Sequence, residues 1–130
     1  MTERGQAVEV RRIFTRQDFD RFAEISGDDN PIHVDPGFAA KTRFGRTLCH
    51  GMLLFSAASA VMRNHLPGPG TSILEKSIKF PGPTFAGDEC TIRIEVVSIS
   101  GDGRRAGLSA RISKEDGTTC MEGHAEVMLP

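Results

Sequence analysis

The chain has 130 residues, enough to bury a real hydrophobic core, and we expect one domain over residues 1–130. Its 16 basic and 17 acidic side chains give a net charge of −1, so no overall positive field draws it to nucleic acid or to an anionic membrane. The first residues lack the apolar run of a secretion signal, and we therefore expect a cytoplasmic protein.

The first 40 residues predict one strand and two helices. Residues 8–14 begin with the alternation of polar and apolar residues that is typical of a strand. Thr15, with Asp18 three residues later, indicates a helix start with a capping box, and the apolar spacing continues to about Ser26. Asp35-Pro36 then predicts the cap and first residue of a short helix that ends near residue 40.

A buried helix is predicted in the middle of the chain. Between Leu48 and Met62, eleven of the fifteen residues are apolar or Cys. A helix that is apolar on nearly every face must be covered on nearly every face. The stretch is too short to span a bilayer, so we expect protein rather than lipid to cover it. The run Pro67-Gly68-Pro69-Gly70 predicts its end.

The second half of the chain predicts β-structure. Residues 74–80 alternate, a longer run over 89–99 puts its apolar residues on one face, and the last strand covers 125–129. The hairpin turns are expected at Gly101-Asp102-Gly103 and Asp116-Gly117. One buried helix among antiparallel strands predicts an α+β fold of the hot-dog type, a curved antiparallel sheet wrapped around a long central helix. Since such a sheet leaves the start of the helix near an open edge, we expect a homodimer or a larger homo-oligomer.

The cysteines and three of the four histidines have simple structural interpretations. Cys49, Cys90 and Cys120 are widely spaced and form no CxxC pattern, so we expect reduced, mostly buried thiols and no structural zinc. His50 is expected to orient the start of the central helix, and His65 to satisfy the last carbonyls of that helix. His124 is expected to have a structural role in the last strand.

The loop over residues 26–35 is the best candidate for chemistry. It places Asp28 and His33 five positions apart, on either side of Asn30-Pro31. Pro31 has no backbone N–H and favours an extended Asn30, so we expect a kinked loop with no helix running through it. Such a loop can point a carboxylate and an imidazole at one small volume, which suits proton transfer. The alternative is that Asp28 only caps a turn and His33 is incidental.

Gly51, at the start of the predicted central helix, is a candidate anion-binding position. The first turn of a helix has unpaired N–H groups and a partial positive charge, and a glycine there lets a ligand approach the backbone. If the Gly51 N–H faces the same cavity as Asp28 and His33, an acid/base pair stands beside an oxyanion donor. The alternative is that Gly51 only allows close packing of the helix on the sheet.

Several segments together resemble a known family. Ser26–His33 fits the pattern S-x-D-x-N-P-x-H, and Gly51 follows at the family's spacing. Phe80-Pro81-Gly82-Pro83 and Gly87-Asp88-Glu89 extend the likeness over nearly the whole chain. The sequence resembles the MaoC-like dehydratases, specifically the short (R)-specific enoyl-CoA hydratases.

This resemblance implies an activity and a site. Asp28 and His33 would be the catalytic pair, and the Gly51 N–H would bind the thioester carbonyl. Ser59, two turns further along the helix, matches a position near the substrate, and the Asn30-Pro31 pair would shape the loop. The implied reaction is reversible syn addition of water to a trans-2-enoyl-CoA, giving an (R)-3-hydroxyacyl-CoA. It would need no metal and no cofactor, because coenzyme A is part of the substrate.

Two other functions remain open at this point. A hot-dog thioesterase would share the fold, but residues 48–62 contain no Asp or Glu to serve as base or nucleophile. A non-catalytic acyl-thioester binding module would be favoured by a degenerate site. The sequence leaves open the acyl chain length, the choice between coenzyme A and acyl carrier protein, the direction of the reaction, and which of the catalytic pair is the base. No basic cluster singles itself out as a site for the coenzyme A phosphates.

Overall fold

A computed structural model describes all of residues 1–130. The elements in chain order are β1 (Ala7–Ile13), α1 (Arg16–Ser26), α2 (Pro31–Val34), α3 (Pro36–Ala40), α4 (Gly51–Asn64), β2 (Ser72–Lys79), β3 (Glu89–Ile99), β4 (Arg105–Lys114) and β5 (Thr119–Met128). The strands form one antiparallel sheet in the order β1-β3-β4-β5-β2. None of the helices has the length and apolar character needed to cross a membrane.

The core lies between α4 and one face of the sheet, where the helix packs on β3, β4 and β5. Strand β3 alternates as predicted and buries its inward residues, which are Cys90, Ile92, Ile94 and Val96. Both predicted hairpin turns are confirmed, since they connect β3 to β4 and β4 to β5. All three cysteines are free and buried, which also confirms the prediction.

The capping signals before the site are confirmed. The Thr15 hydroxyl accepts from the Asp18 N–H at 3.1 Å, and the Asp18 carboxylate accepts from the Thr15 N–H at 3.0 Å. Helix α1 ends at Gly27, which has a left-handed φ of 78°. The Asp35 carboxylate caps α3 through the Phe38 N–H. These caps fix where the intervening loop begins and ends.

The central helix begins at Gly51, as predicted, although the apolar run starts at Leu48; the predicted covering of nearly every face is wrong in detail. Leu48 forms an isolated β-bridge with Phe85, and the Cys49 N–H donates to the Thr84 carbonyl at 2.8 Å, so the helix begins only at Gly51. The helix is not covered on every face, because Met52 remains 47% exposed and lies outside the core.

Two further sequence predictions need correction. A β-bulge between Ile73 and Glu75 shifts the alternation of β2, so that Ile73 and Ile78 pack against the core while Leu74 is 48% exposed. At the end of α4, the backbone N–H of His65 donates to the Val61 carbonyl, whereas its side chain makes no hydrogen bond. The cap there is a backbone interaction.

Candidate active site

The loop after α1 becomes helical sooner than predicted. The Asn30 carboxamide oxygen accepts from the Ile32 N–H at 3.2 Å and caps α2, whose first residue is Pro31. A proline at the first helical position loses no hydrogen bond, because that N–H has no intrahelical acceptor. The expectation of a loop without helix is therefore wrong: Asp28 lies on the loop, but His33 lies on a helical turn.

Asp28 and His33 face each other across a gap. The distance from Asp28 Oδ2 to His33 Nε2 is 4.0 Å, too long for a direct hydrogen bond. The Asp28 side chain is 55% exposed and that of His33 only 13%. His33 Nδ1 lies 2.6 Å from the Leu48 carbonyl oxygen, which can only accept, so Nδ1 carries the proton. In the neutral ring, the lone pair of Nε2 is therefore on the side of Asp28.

His50 connects the loop to the start of α4. Its Nε2–H donates to the Asp28 carbonyl at 2.9 Å, and its ring stacks on that of His33 with centroids 3.8 Å apart and planes at 22°. The side chain is buried, and this burial lowers its pKa; the nearby His33 ring acts in the same direction. The neutral form of His50 is thus favoured beside His33, and its Nδ1 is buried and without a partner.

Gly51 opens α4 with a free N–H. As the first helical residue it has no acceptor within the helix, and no other group in the chain accepts from it. A Cβ at this position would lie 2.9 to 3.1 Å from the Phe80 ring. A side-chain ring, rather than the sheet backbone, therefore covers the Gly51 Cα. The contact seen here is thus a packing contact with a residue of the candidate cavity, and the approach of a ligand to the Gly51 N–H stays a prediction.

A cavity of about 300 Å³ joins these parts. His33 and Gly51 both line it, and Leu54 from the next turn of α4 does too. Asp28 does not line it, and its half-exposed carboxylate reaches the site only through the 4.0 Å gap to His33 Nε2. Ser59 is not brought to this site, since it neither lines the cavity nor makes a hydrogen bond.

Two cavity segments were missed from the sequence. One is Arg43-Phe44, and the other covers residues 80–84, whose first four residues carry part of the family resemblance but were assigned no role in the site. The second segment is fixed by a half-buried ion pair: Lys114 Nζ lies 3.1 Å from Asp88 Oδ2 and also donates to the Pro83 carbonyl at 3.0 Å. The Pro-Gly-Pro run was the available signal, because it marks a rigid segment at a strand end.

Asp28, His33 and His50 also form a cluster whose candidate metal-ligating atoms lie within 4.8 Å of one another. Each imidazole already donates one ring N–H to a backbone carbonyl, which leaves one nitrogen on each ring. These bonds fix the orientation of both rings.

A central helix on an antiparallel sheet defines a hot-dog protein, and its candidate site combines a carboxylate and an imidazole with the free N–H at the start of that helix. The sequence matches the MaoC-like domain over residues 1–116, and the chain belongs to that family.

Similar proteins agree in sequence and in structure. The chain is 41% identical over 128 residues to the (R)-specific enoyl-CoA hydratase of Aeromonas caviae, covering 98% of this chain and 96% of that protein. It is 36% identical to a 3-hydroxybutyryl-CoA dehydratase of Methylorubrum extorquens, covering 93% and 76% of the two chains. A solved (R)-hydratase from A. caviae, described as involved in PHA biosynthesis, superposes with a TM-score of 0.95 over 98% of this chain and 97% of the other, at 41% identity. The predicted hot-dog fold and the family resemblance are confirmed.

Proposed function

We propose that this protein is an (R)-specific enoyl-CoA hydratase, a hydro-lyase that adds water reversibly to a trans-2-enoyl-CoA and forms an (R)-3-hydroxyacyl-CoA. The observation that carries this proposal is the Asp28–His33 pair beside the free N–H of Gly51. The 41% identity to an (R)-specific enoyl-CoA hydratase over 98% of the chain supports the reaction and its stereochemistry.

The first chemical requirement is polarisation of the thioester. The β-carbon of an enoyl thioester becomes electrophilic when its carbonyl oxygen gains negative charge. The Gly51 N–H and the positive end of the α4 dipole would stabilise that charge. One such donor contributes about 3–4 kcal/mol to other enzymes. The proposed reaction therefore uses a helix terminus to polarise the thioester carbonyl and takes neither a metal nor a separate cofactor.

The second requirement is a positioned water. The Asp28 carboxylate and the lone pair of His33 Nε2 both accept hydrogen bonds. Because the two atoms are 4.0 Å apart, one water at about 2.8 Å from each can donate to both. A lone pair on the oxygen of this water then faces away from Asp28 and His33, towards the β-carbon of the substrate. The Asp28–His33 pair takes a proton from the attacking water and returns a proton to the α-carbon on the same face.

A direct assay tests this function against its two alternatives. Purified protein is incubated with crotonyl-CoA while the enoyl absorbance and free thiol are followed together, and the 3-hydroxybutyryl product is resolved by chiral chromatography. Loss of absorbance without thiol release, with (R) product, is the expected result. Thiol release would indicate a thioesterase, and no change with short, medium and long enoyl chains would indicate a binding module.

We propose in addition that two copies of the chain associate. Met52 on α4 and Phe80 after β2 are 47% and 45% exposed, and β2 has one unpaired edge. Exposed apolar side chains beside an open strand edge favour an interface between copies.

We also propose that residues 1–130 act as one domain in the cytoplasm, in keeping with one sheet and three free thiols.

A further inference from the structure

Arg43 has an unusual position among the cations of this chain. It follows α3 and lines the same cavity as His33 and Gly51, where it is the only lysine or arginine. Its guanidinium lies 4.7 Å from the centroid of the Phe44 ring, and Phe44 lines the cavity too. The side chain is exposed and makes no salt bridge or hydrogen bond within the chain. Arg43 is thus an unneutralised charge held by an aromatic ring at the entrance to the site.

Three other cationic side chains do not combine a place in this cavity with an unpaired charge. Arg46 lies over the Phe85 ring and lines a different depression, which contains four acidic residues. Lys114 is already paired with Asp88. Lys79 lines a shallow depression formed by β2, β4 and β5. The positive charge available at the cavity is therefore that of Arg43.

The cavity itself is small. Its volume of about 300 Å³ is at the lower end for a pocket that holds a drug-sized ligand. An acyl chain and thioester fill such a volume, so the phosphate-bearing part of a pantetheine carrier must lie outside it. A guanidinium offers paired N–H donors that match the oxygens of a phosphate.

We propose that Arg43, positioned by Phe44, binds a phosphate of the pantetheine-linked carrier of the acyl group. This inference rests on the proposed function, because it assumes that an acyl thioester occupies the cavity. Coenzyme A and acyl carrier protein share the phosphate at the end of the pantetheine arm, and coenzyme A adds nucleotide phosphates. Arg43 would then contribute to binding of the carrier and take no part in proton transfer.

The test compares Arg43→Gln with the unchanged protein on three crotonyl thioesters: those of coenzyme A, of 4′-phosphopantetheine and of pantetheine, which has no phosphate. We expect the KM for crotonyl-CoA to rise about fivefold with kcat retained, and kcat/KM for crotonyl-pantetheine to stay unchanged. A similar rise with the phosphopantetheine ester assigns the contact to the phosphate that both carriers share. A rise confined to the CoA ester assigns it to the nucleotide phosphates. Added salt should raise the KM of the unchanged protein for crotonyl-CoA more than that of the variant.

Arg63→Gln is the matched control. Arg63 is also exposed and unpaired, but it lies twelve residues beyond Gly51 on α4, about 18 Å along the helix axis. The control should leave the KM for every ester unchanged. Equal effects of Arg43→Gln on the phosphate-bearing and phosphate-free esters, or no effect on either, would overturn the inference while leaving the hydratase proposal intact. Failure of the unchanged protein to hydrate any ester would instead overturn the proposed function.

Discussion

At the scale of single residues, the protonation pattern of the Asp28–His33 pair gives the sharpest test of the site. Because His33 Nδ1 donates to the Leu48 carbonyl, only Nε2 can exchange protons with a substrate water. Asp28→Asn and His33→Gln each replace a group that can take a proton from that water with a carboxamide, which accepts a hydrogen bond but cannot act as a base. Each should lower kcat for hydration roughly a thousandfold, with an unchanged circular dichroism spectrum.

Asp29→Asn is the matched control for this prediction. Asp29 is the next residue, is equally classed as exposed, and makes no hydrogen bond or ion pair through its carboxylate. Its substitution should leave kcat close to that of the unchanged protein. Turnover near the original value in either Asp28→Asn or His33→Gln would contradict the assignment of the pair.

His50 predicts a pH dependence of stability. Its pKa is lowered from the ordinary value of 6.5, mainly by burial, so the unfolded chain binds the proton more tightly than the native chain does. The contribution of neutral His50 to the free energy of unfolding should therefore be complete above pH 6.5. It should decrease as the pH drops from 6.5 towards the lowered pKa of the folded state. His50→Phe removes this linkage, so urea titrations at about pH 7.5 and about pH 5 should differ less for the variant.

His65→Gln serves as the comparison for His50→Phe. His65 is exposed, and its side chain makes no hydrogen bond, so this change removes an imidazole without altering the packing of the core. Its stability should show the same dependence on pH as that of the unchanged protein. An undiminished pH dependence in His50→Phe would show that other groups account for it.

At the scale of elements, the start of α4 determines what can approach the thioester. In Gly51→Ala the new methyl group would meet the Phe80 ring and push it into the cavity. Phe80 is 45% exposed and can move, so we expect the fold to persist with a melting temperature within a few degrees. We expect kcat/KM for crotonyl-CoA to fall at least about tenfold, because the methyl group and the displaced ring occupy the space of the carbonyl.

Gly101→Ala controls for the exchange of glycine for alanine. Gly101 lies in the β3–β4 turn, its φ is not positive, and a Cβ there meets no atom within 4 Å. Both activity and stability should be retained. Full activity in Gly51→Ala would exclude close approach of a substrate carbonyl to this N–H.

The elements themselves were only partly predictable from sequence. Capping at Thr15 and Asp35 depends on neighbours within a few residues, and both caps were read correctly. The start of α4 depends on Leu48 bridging to Phe85, a contact between distant parts of the chain that hydrophobic periodicity cannot reveal. Likewise, Pro31 prevents a helix from running through it but allows a helix to begin at it. The cap that Asn30 provides then starts α2 at Pro31.

At the scale of the whole molecule, the site is assembled from segments that lie far apart in sequence. The motif at residues 26–35 and Gly51 indicated the proton-transfer groups and the donor for the carbonyl oxygen. The acceptor for His33 Nδ1, the ring that covers Gly51 and the cation at the cavity come from Leu48, Phe80 and Arg43, to which the sequence assigned no role in the site. These three residues meet the site through contacts between distant parts of the chain, so only the folded chain identifies their roles.

The incomplete covering of α4 leads to a prediction about assembly. Lys76 lies over the Phe55 ring at 4.4 Å and Phe80 lies against Gly51, so β2 runs beside the first turns of α4. Met52, Leu74 and Phe80 on these elements are about half exposed, and we call them the α4–β2 strip. We expect sedimentation equilibrium to give twice the mass of one chain, because a second copy that packs on this strip removes apolar surface from water. Leu74→Glu should shift the protein towards monomer, since it places a charge within the buried strip.

Ile13→Glu distinguishes this interface from a general effect of surface charge. Ile13 has the same exposure as Leu74, 48%, but lies on β1 at the opposite edge of the sheet. This variant should therefore remain a dimer with the sedimentation profile of the unchanged protein. A monomeric unchanged protein, or an equal loss of dimer in both variants, would show that the α4–β2 strip is not the contact. Because Gly51 lies beside Met52 and against Phe80, dissociation by Leu74→Glu should also lower hydration of crotonyl-CoA at protein concentrations where the variant is monomeric.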